Sequence, residues 1–413
     1  MNSDSNSEDY GKLGRFGRRD LLAGFGVAAA AGLAFTNEVV GQAQNPAAQV
    51  ADRSSTIRIS AMKTYWVGPV VYVKIETNHG VHGWGDLKGV DPRVAQVLVK
   101  SLFELIDGEN PTRIEHIWQK LYRSHRDMRG GALMVHTIAA IDIALWDLVG
   151  KLWDVPVYRM LGGPSRDRIR VYHTPKAQKV PPHGIFEHSG TPADIERMVK
   201  AIAAAREKVG PDGAVMFDAH SAVPPATLIQ LAAAIKPYDV MFIEEPAVPG
   251  NIEVFKRIKE QVSIPLATGE RDRTIWGVLP YLQEGCIDIL QPDCCHTGGI
   301  SQMKKIATLA EAYFVPLAPH CTASFLGIAA SLHVAASIPF LLIHEFYPEN
   351  AGFNVPGLTR MAYELDAEGY IGLPPGPGLG VEVDEAKLET ESHKPQSYRW
   401  PGAKLKDGSV ADY

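Results

Sequence analysis

Ala214-Val215-Met216-Phe217-Asp218, Val240-Met241-Phe242-Ile243-Glu244 and Pro265-Leu266-Ala267-Thr268-Gly269-Glu270 are three short apolar runs that each close on an acid. The step from 218 to 244 equals the step from 244 to 270, and its length suits one strand, one crossover helix and their loops. Runs that are apolar at successive positions read as parallel strands buried on both faces. Ile169 to Tyr172, Ile287 to Leu290, Val315 to Ala318 and Phe340 to Ile343 have the same texture, with amphipathic segments between them. Seven strands in series imply a parallel barrel, which an eighth would close. Its place is between the first two, where Gly184-Ile185-Phe186-Glu187 is the candidate and the loop around Pro181-Pro182 replaces a helix. The expected fold class is α/β, a modified (β/α)8 barrel with an N-terminal α+β capping domain.

Upstream of the barrel, Ile57 to Tyr65 and Val70 to Thr77 read as strands, and 92–107, 111–123 and 131–151 carry apolar residues at helical spacing. This places the capping domain at 56–160 and the barrel at 161–350. Residues 351–413, with Pro374-Pro375-Gly376-Pro377-Gly378, read as a segment returning to the cap. Residues 1–45 read as a twin-arginine signal peptide: Arg18-Arg19 precede the apolar run Leu21 to Phe35, which is short for a bilayer span of roughly 20 residues. Export to the periplasm is the expectation, with no membrane anchor after cleavage.

The chain has 413 residues and is 46% hydrophobic, ample for a full core. Its net charge of -6 gives no basic surplus for nucleic acid. A small anionic substrate would need a local positive site. Cys286, Cys294, Cys295 and Cys321 lack the spacing of a disulfide scaffold.

In a parallel barrel, equivalent strand ends lie side by side at the C-terminal face, so Asp218, Glu244 and Glu270 should converge there. Three hard oxygen ligands suit Mg2+ better than Zn2+. His220 stands two residues beyond Asp218, so it can face the same site. His320 follows Val315 to Ala318, and Asp293 ends the preceding strand, within reach of an imidazole nitrogen. That bond would orient His320 and raise its basicity. Glu345 is a further inward acid, and Arg271 offers positive charge. A soft-metal reading from Cys294, Cys295, His296, His320 and Cys321 competes, but neighbouring residues of extended chain point to opposite faces. Lys176, Glu187 and His188, in the irregular stretch, are candidates for substrate contact.

Phe242-Ile243-Glu244-Glu245-Pro246, Gly269-Glu270-Arg271 and Gln291-Pro292-Asp293 with Gly298-Gly299-Ile300 resemble motifs of the mandelate racemase subgroup of the enolase superfamily. Asp142 to Asp147 with Gly150-Lys151, and Leu161-Gly162-Gly163, resemble its link between cap and barrel, and Pro377-Gly378-Leu379-Gly380 its C-terminal return. Asp218-Ala219-His220 and Pro319-His320-Cys321 are most similar to the galactonate dehydratase branch. The resemblance implies Mg2+ on Asp218, Glu244 and Glu270, a general base at His320 held by Asp293, a general acid at His220, and Glu345 beside the intermediate. It implies dehydration of a sugar acid to a 2-keto-3-deoxy acid, and a homo-oligomer. Racemising members carry Lys-x-Lys on the second strand; no such motif is seen, which leaves one-sided proton chemistry. An epimerase or cycloisomerase would need a base opposite His320, and a non-catalytic sugar-acid-binding protein is a further alternative. Substrate choice is expected from cap loops near Tyr65-Trp66 and from His82 to Asp86.

Overall fold

The computed structural model describes residues 56–347, 357–392 and 402–411. The expected signal peptide, residues 1–45, lies outside the described residues, as do parts of the C-terminal return. The cap opens with an antiparallel sheet of β1 (Ile59–Val67), β2 (Val70–Thr77) and β3 (His82–Leu87) in that order. The third strand has no strand texture in the sequence, because Gly83 and Gly85 interrupt it. The sheet needs them: a Cβ on either would come within 2.1 Å of the carbonyl oxygen of Ala144 or Ala140 on the helix beneath. Three helices follow, α1 (Pro92–Ile106), α2 (Ile114–Ser124) and α3 (Ala132–Leu152). Asp91 caps α1 by accepting the Arg93 N–H, with Pro92 in the first turn where no donor is missed. Helix α3 is long and apolar enough to cross a membrane, but it is the buried central helix of the cap.

The barrel strands are β4 (Arg168–Tyr172), β5 (Ala177–Val180), β6 (Ala214–Asp218), β7 (Val240–Glu244), β8 (Leu266–Thr268), β9 (Ile289–Leu290) and β10 (His344–Glu345). β5 to β9 pair in parallel in sequence order. The ladder continues through parallel bridges Leu290 to Leu317 and Leu317 to Leu341, and β10 pairs in parallel with β4. Between the strands run α4 (Pro192–Val209), α5 (Pro225–Ile235), α6 (Ile252–Lys259), α7 (Thr274–Glu284), α8 (Gly299–Ala312) and α9 (Phe325–Ser337). Tyr172, Met216, Phe242, Ala267, Ile289, Ala318 and Ile343 form one apolar cluster inside the ring. Val215, Phe217 and Ile243 belong to the larger core under the helices. This alternation decides where the acids go: Asp218 and Glu244 lie two residues beyond Met216 and Phe242, so they share the inward direction.

The second strand corrects the sequence reading. It is Ala177–Val180, while Gly184 to Glu187 form no strand, although Phe186 is buried. The chain leaves β4 through a tight turn instead of a helix, with the Ala177 N–H donating to Thr174 O at 3.2 Å. Pro175 takes the position of such a turn that its fixed φ suits.

After the barrel, β11 (Thr359–Met361) pairs with β13 (Val381–Val383), and β12 (Tyr370–Gly372) runs antiparallel to β4. Helix α10 (Glu385–Glu391) lies against β1, where the Glu385 carboxylate accepts from Tyr65 Oη and Lys74 Nζ, each at 2.7 Å. β14 (Ala403–Lys404) and β15 (Val410–Ala411) form a final hairpin, and the Lys406 N–H donates to the Glu187 carboxylate.

Candidate active site

Asp218 and Glu244 are registered partners at the ends of β6 and β7, and Glu270 follows β8. Asp218 and Glu244 share one ammonium, while Glu270 is grouped with His220 and Glu245. Lys179, from the polar strand β5, sets its ammonium 3.5 Å from Asp218, 3.1 Å from Glu244 and 2.8 Å from Glu345. Burial, together with Asp218, Glu345 and Glu270, pushes the Glu244 carboxyl above its ordinary range against the pull of Lys179. For Glu345 the balance is reversed: burial disfavours its charge, but Lys179, His320 and His173 hold it well below the usual value. Its Oε1 faces His173 Nε2 at 3.1 Å and its Oε2 accepts the Cys321 N–H at 2.8 Å.

On the base side Asp293 is bonded at both carboxylate oxygens. His320 Nδ1 lies 2.6 Å from Asp293 Oδ2, and Asp293 Oδ1 accepts the Cys295 N–H at 2.7 Å. A carboxylate can only accept, so His320 Nδ1 carries the proton and Nε2, with Thr322 Oγ1 at 3.5 Å, is the working atom. Nε2 lies 3.5 Å from Glu270 and 3.8 Å from Glu345. Burial alone would lower the imidazole pKa; Glu270, Glu345 and Asp293 raise it to about 9. A cation held by Glu270 would cancel one of these contributions and return His320 toward its ordinary value. Burial works against the Asp293 charge, but His296, Lys88 and His320 hold its carboxyl well below the normal range.

His220 takes a left-handed backbone (φ 49°) and its N–H donates to Asp218 Oδ1 at 2.8 Å. Its ring lies with Glu245 and Glu270 in a group whose ligand atoms are all within 4.8 Å. A second such group is Asp293, His296 and His320. Arg271 donates to Glu245 and to Ser221 Oγ. Burial and the neighbouring Glu270 nevertheless raise the Glu245 carboxyl to about 8.

The residues fit a divalent cation. Glu244 Oε2 is buried with no hydrogen-bond partner, which is costly unless something binds it, and beside the Lys179 ammonium on its other oxygen the groups near it are carboxylates. The soft-metal alternative fits poorly: all four cysteines are free and buried, and burial keeps the Cys294, Cys295 and Cys321 thiols protonated. Other expected contacts lie elsewhere. Tyr65 and Trp66 bond to the tail at Glu385 and Ser392, and Lys176 is an exposed turn residue. His188 lines a cavity of about 480 Å3 beside Ser221, with Phe186, Val248 and Leu405. Lys179, His173 and Lys88 escaped sequence reading. The one available signal was the turn Thr174-Pro175-Lys176, which dates a new strand to Ala177.

Residues 47–162 match the N-terminal domain of the mandelate racemase / muconate lactonizing enzyme family, and residues 169–387 match the family described as enolase C-terminal domain-like. The chain belongs to the enolase superfamily. Among curated members of the superfamily, D-galactonate dehydratase of Variovorax paradoxus is 35% identical over 385 residues, 86% of this chain and 100% of the relative. That of Ralstonia pickettii is 34% identical with the same coverage. A putative galactarate dehydratase from Agrobacterium radiobacter, solved with Na and L-malate, aligns with TM-score 0.79 and 31% identity over 86% of this chain and 100% of its own. The 3,6-anhydro-D-galactonate cycloisomerase of Zobellia galactanivorans aligns with TM-score 0.74 and 31% identity over 82% of this chain and 100% of its own. These solved structures carry the superfamily cap and barrel, in accord with the fold class read from the sequence.

Proposed function

We propose that this enolase-superfamily member dehydrates a sugar acid, an aldonate such as galactonate or gluconate, to a 2-keto-3-deoxy acid. Similarity to hydro-lyases along their full length makes it an enzyme of that class. The observation that supports the substrate chemistry is that His320, held by Asp293, and His220 each lie beside Glu270. Asp218, Glu244 and Glu270 would hold Mg2+, which when bound supplies charge stabilisation for the substrate carboxylate as its α-carbon is deprotonated. His320 Nε2 takes the α-proton, and Asp293 stabilises the imidazolium that results. The electron pair left on the α-carbon forms the C=C bond as the β-carbon–oxygen bond breaks. His220 gives its proton to the leaving hydroxyl, which departs as water, and the enol tautomerises to the ketone. Turnover of an aldonate library read by semicarbazide, abolished by chelation and by His320→Asn, supports this reading; binding without any 2-keto product overturns it.

Lys179 favours a second reading. A cation on the second barrel strand, absent from the sequence reading, is the group that epimerisation or cycloisomerisation would require across the site from His320. Lys179→Met separates the two: a dehydratase retains α-proton exchange with D2O through His320, whereas an enzyme that delivers a proton from Lys179 loses product. The Arg18-Arg19 segment leads us to propose periplasmic export as well, to be tested by fractionation of cells carrying Arg18→Lys with Arg19→Lys.

A further inference from the structure

Lys88 follows the last residue of β3, so it belongs to the cap, yet its side chain is only 1% exposed and enters the barrel mouth. Its ammonium donates to Asp293 Oδ2 at 2.7 Å, to Thr322 O at 2.7 Å and to Thr322 Oγ1 at 3.2 Å. Asp293 Oδ2 is the same atom that accepts the His320 Nδ1–H, while Oδ1 is taken by Cys295. The carboxylate is thus bonded at both oxygens and cannot rotate. The Lys88 carbonyl meanwhile accepts His136 Nδ1 at 3.2 Å. The His136 ring stacks on His296 at 4.4 Å between centroids, and His296 lies 6.1 Å from His320. The next residue, Gly89, turns with φ +71°, and a Cβ there would press on His296 Nε2 at 3.2 Å. One residue of the cap therefore reaches the base from two directions.

Taking an ammonium out of water costs several kcal/mol, and an apolar side chain would hold two domains together as well. What only a cation does here is fix an ionised carboxylate whose second task is to hold the imidazole. We propose that Lys88 is a positioning residue, supplied by the cap, that fixes Asp293 and through it His320, so that the base is complete only when cap and barrel are docked. This rests on the reading of His320 as the base.

The test uses the full-length protein. Lys88→Met lowers kcat by about 10- to 100-fold, the usual loss when a partner behind a working ligand is removed, with KM within about twofold. The deuterium effect of an α-deuterated substrate grows, because proton removal becomes slower, and ethylammonium restores turnover to Lys88→Ala. Trp146→Phe is the comparator: Trp146 Nε1 of the cap donates to Ser301 Oγ of the barrel at 2.9 Å, away from Asp293. It lowers the melting temperature and leaves kcat unchanged. Equal kcat loss in Trp146→Phe, or a Lys88→Met effect confined to KM, overturns the proposal. If Lys88→Met does not fold, Lys88→Gln, which keeps a donor toward Asp293 without the charge, shows a smaller kcat loss of the same kind, and an unchanged kcat in it overturns the proposal. The proton shared by His320 and Asp293 gives a low-field NMR resonance in wild type that moves or vanishes in Lys88→Met. That signal needs no turnover, so inactivity of the wild type toward every sugar acid defeats the dehydratase reading, while an unmoved resonance defeats this one.

Discussion

His320 and Glu244 face the same space and are prepared for it in different ways. Around His320 the protein has tied down the carboxylate that holds the ring: Asp293 on Nδ1, with Lys88 and Cys295 on Asp293, although the stacked rings behind it, His136 and His296, keep buried Nε2 atoms without partners. Around Glu244 and Glu245 it has left carboxylate oxygens open. Glu244 Oε2 and Glu245 Oε2 are buried without partners, and His220, Ser221 and Glu245 have φ of 49°, 55° and 43°. Left-handed backbone at non-glycine residues costs about 1 to 3 kcal/mol each and persists where the surroundings enforce it. The base is preorganised by the protein alone, whereas the carboxylate side is prepared for a cation and a substrate that complete it.

The sharpest way to break this contrast is to remove the base. His320→Asn should reduce dehydration by about 10^3- to 10^4-fold and abolish α-proton exchange, since a positioned base contributes up to that much. Residual exchange in that variant would move the base elsewhere, with Lys179 first in line. His220→Asn should reduce dehydration by about 10^2- to 10^3-fold. It should leave α-proton exchange within a few-fold of wild type, and loss of both together would show that the two histidines do not divide the work.

The pH dependence of stability sharpens it further. In the metal-free protein the His320 pKa lies at about 9, above its ordinary 6.5. A group raised in the folded state stabilises fully below its unfolded pKa and loses that contribution as pH rises through the folded one. Thermal melts of chelated protein should therefore lose about 3 kcal/mol between pH 6.5 and 9, and His320→Asn should not. The smallest effect belongs to the open side. Mg2+ at a hundredfold excess over its dissociation constant should stabilise the protein by about 2.7 kcal/mol, and Glu244→Gln should remove most of that shift. A melting temperature indifferent to Mg2+ would mean that Lys179 holds the acids for good.

Legibility followed the same division. The acids were readable because each ends an apolar run, and the rule that alternate residues share a face carries Met216 to Asp218 and Phe242 to Glu244. The pair His320 and Asp293 was readable because the strands before them are neighbours in a parallel ladder. The second strand was not, since Ala177-Gln178-Lys179-Val180 has no apolar texture; its lysine is inward because carboxylates, not a greasy core, await it. The third cap strand was obscured by glycines whose purpose is contact with α3.

Periodicity and strand order, which are local, are enough to read the barrel, the cap, the acids Asp218, Glu244 and Glu270 at three successive strand ends, and the pairing of His320 with Asp293. That Lys179 stands among the acids, and that Lys88, 205 residues before Asp293, reaches the base from the cap, is visible in the packed molecule alone. A buried cation is specified by the carboxylates it meets, and those come from distant parts of the chain, so no stretch around it announces it.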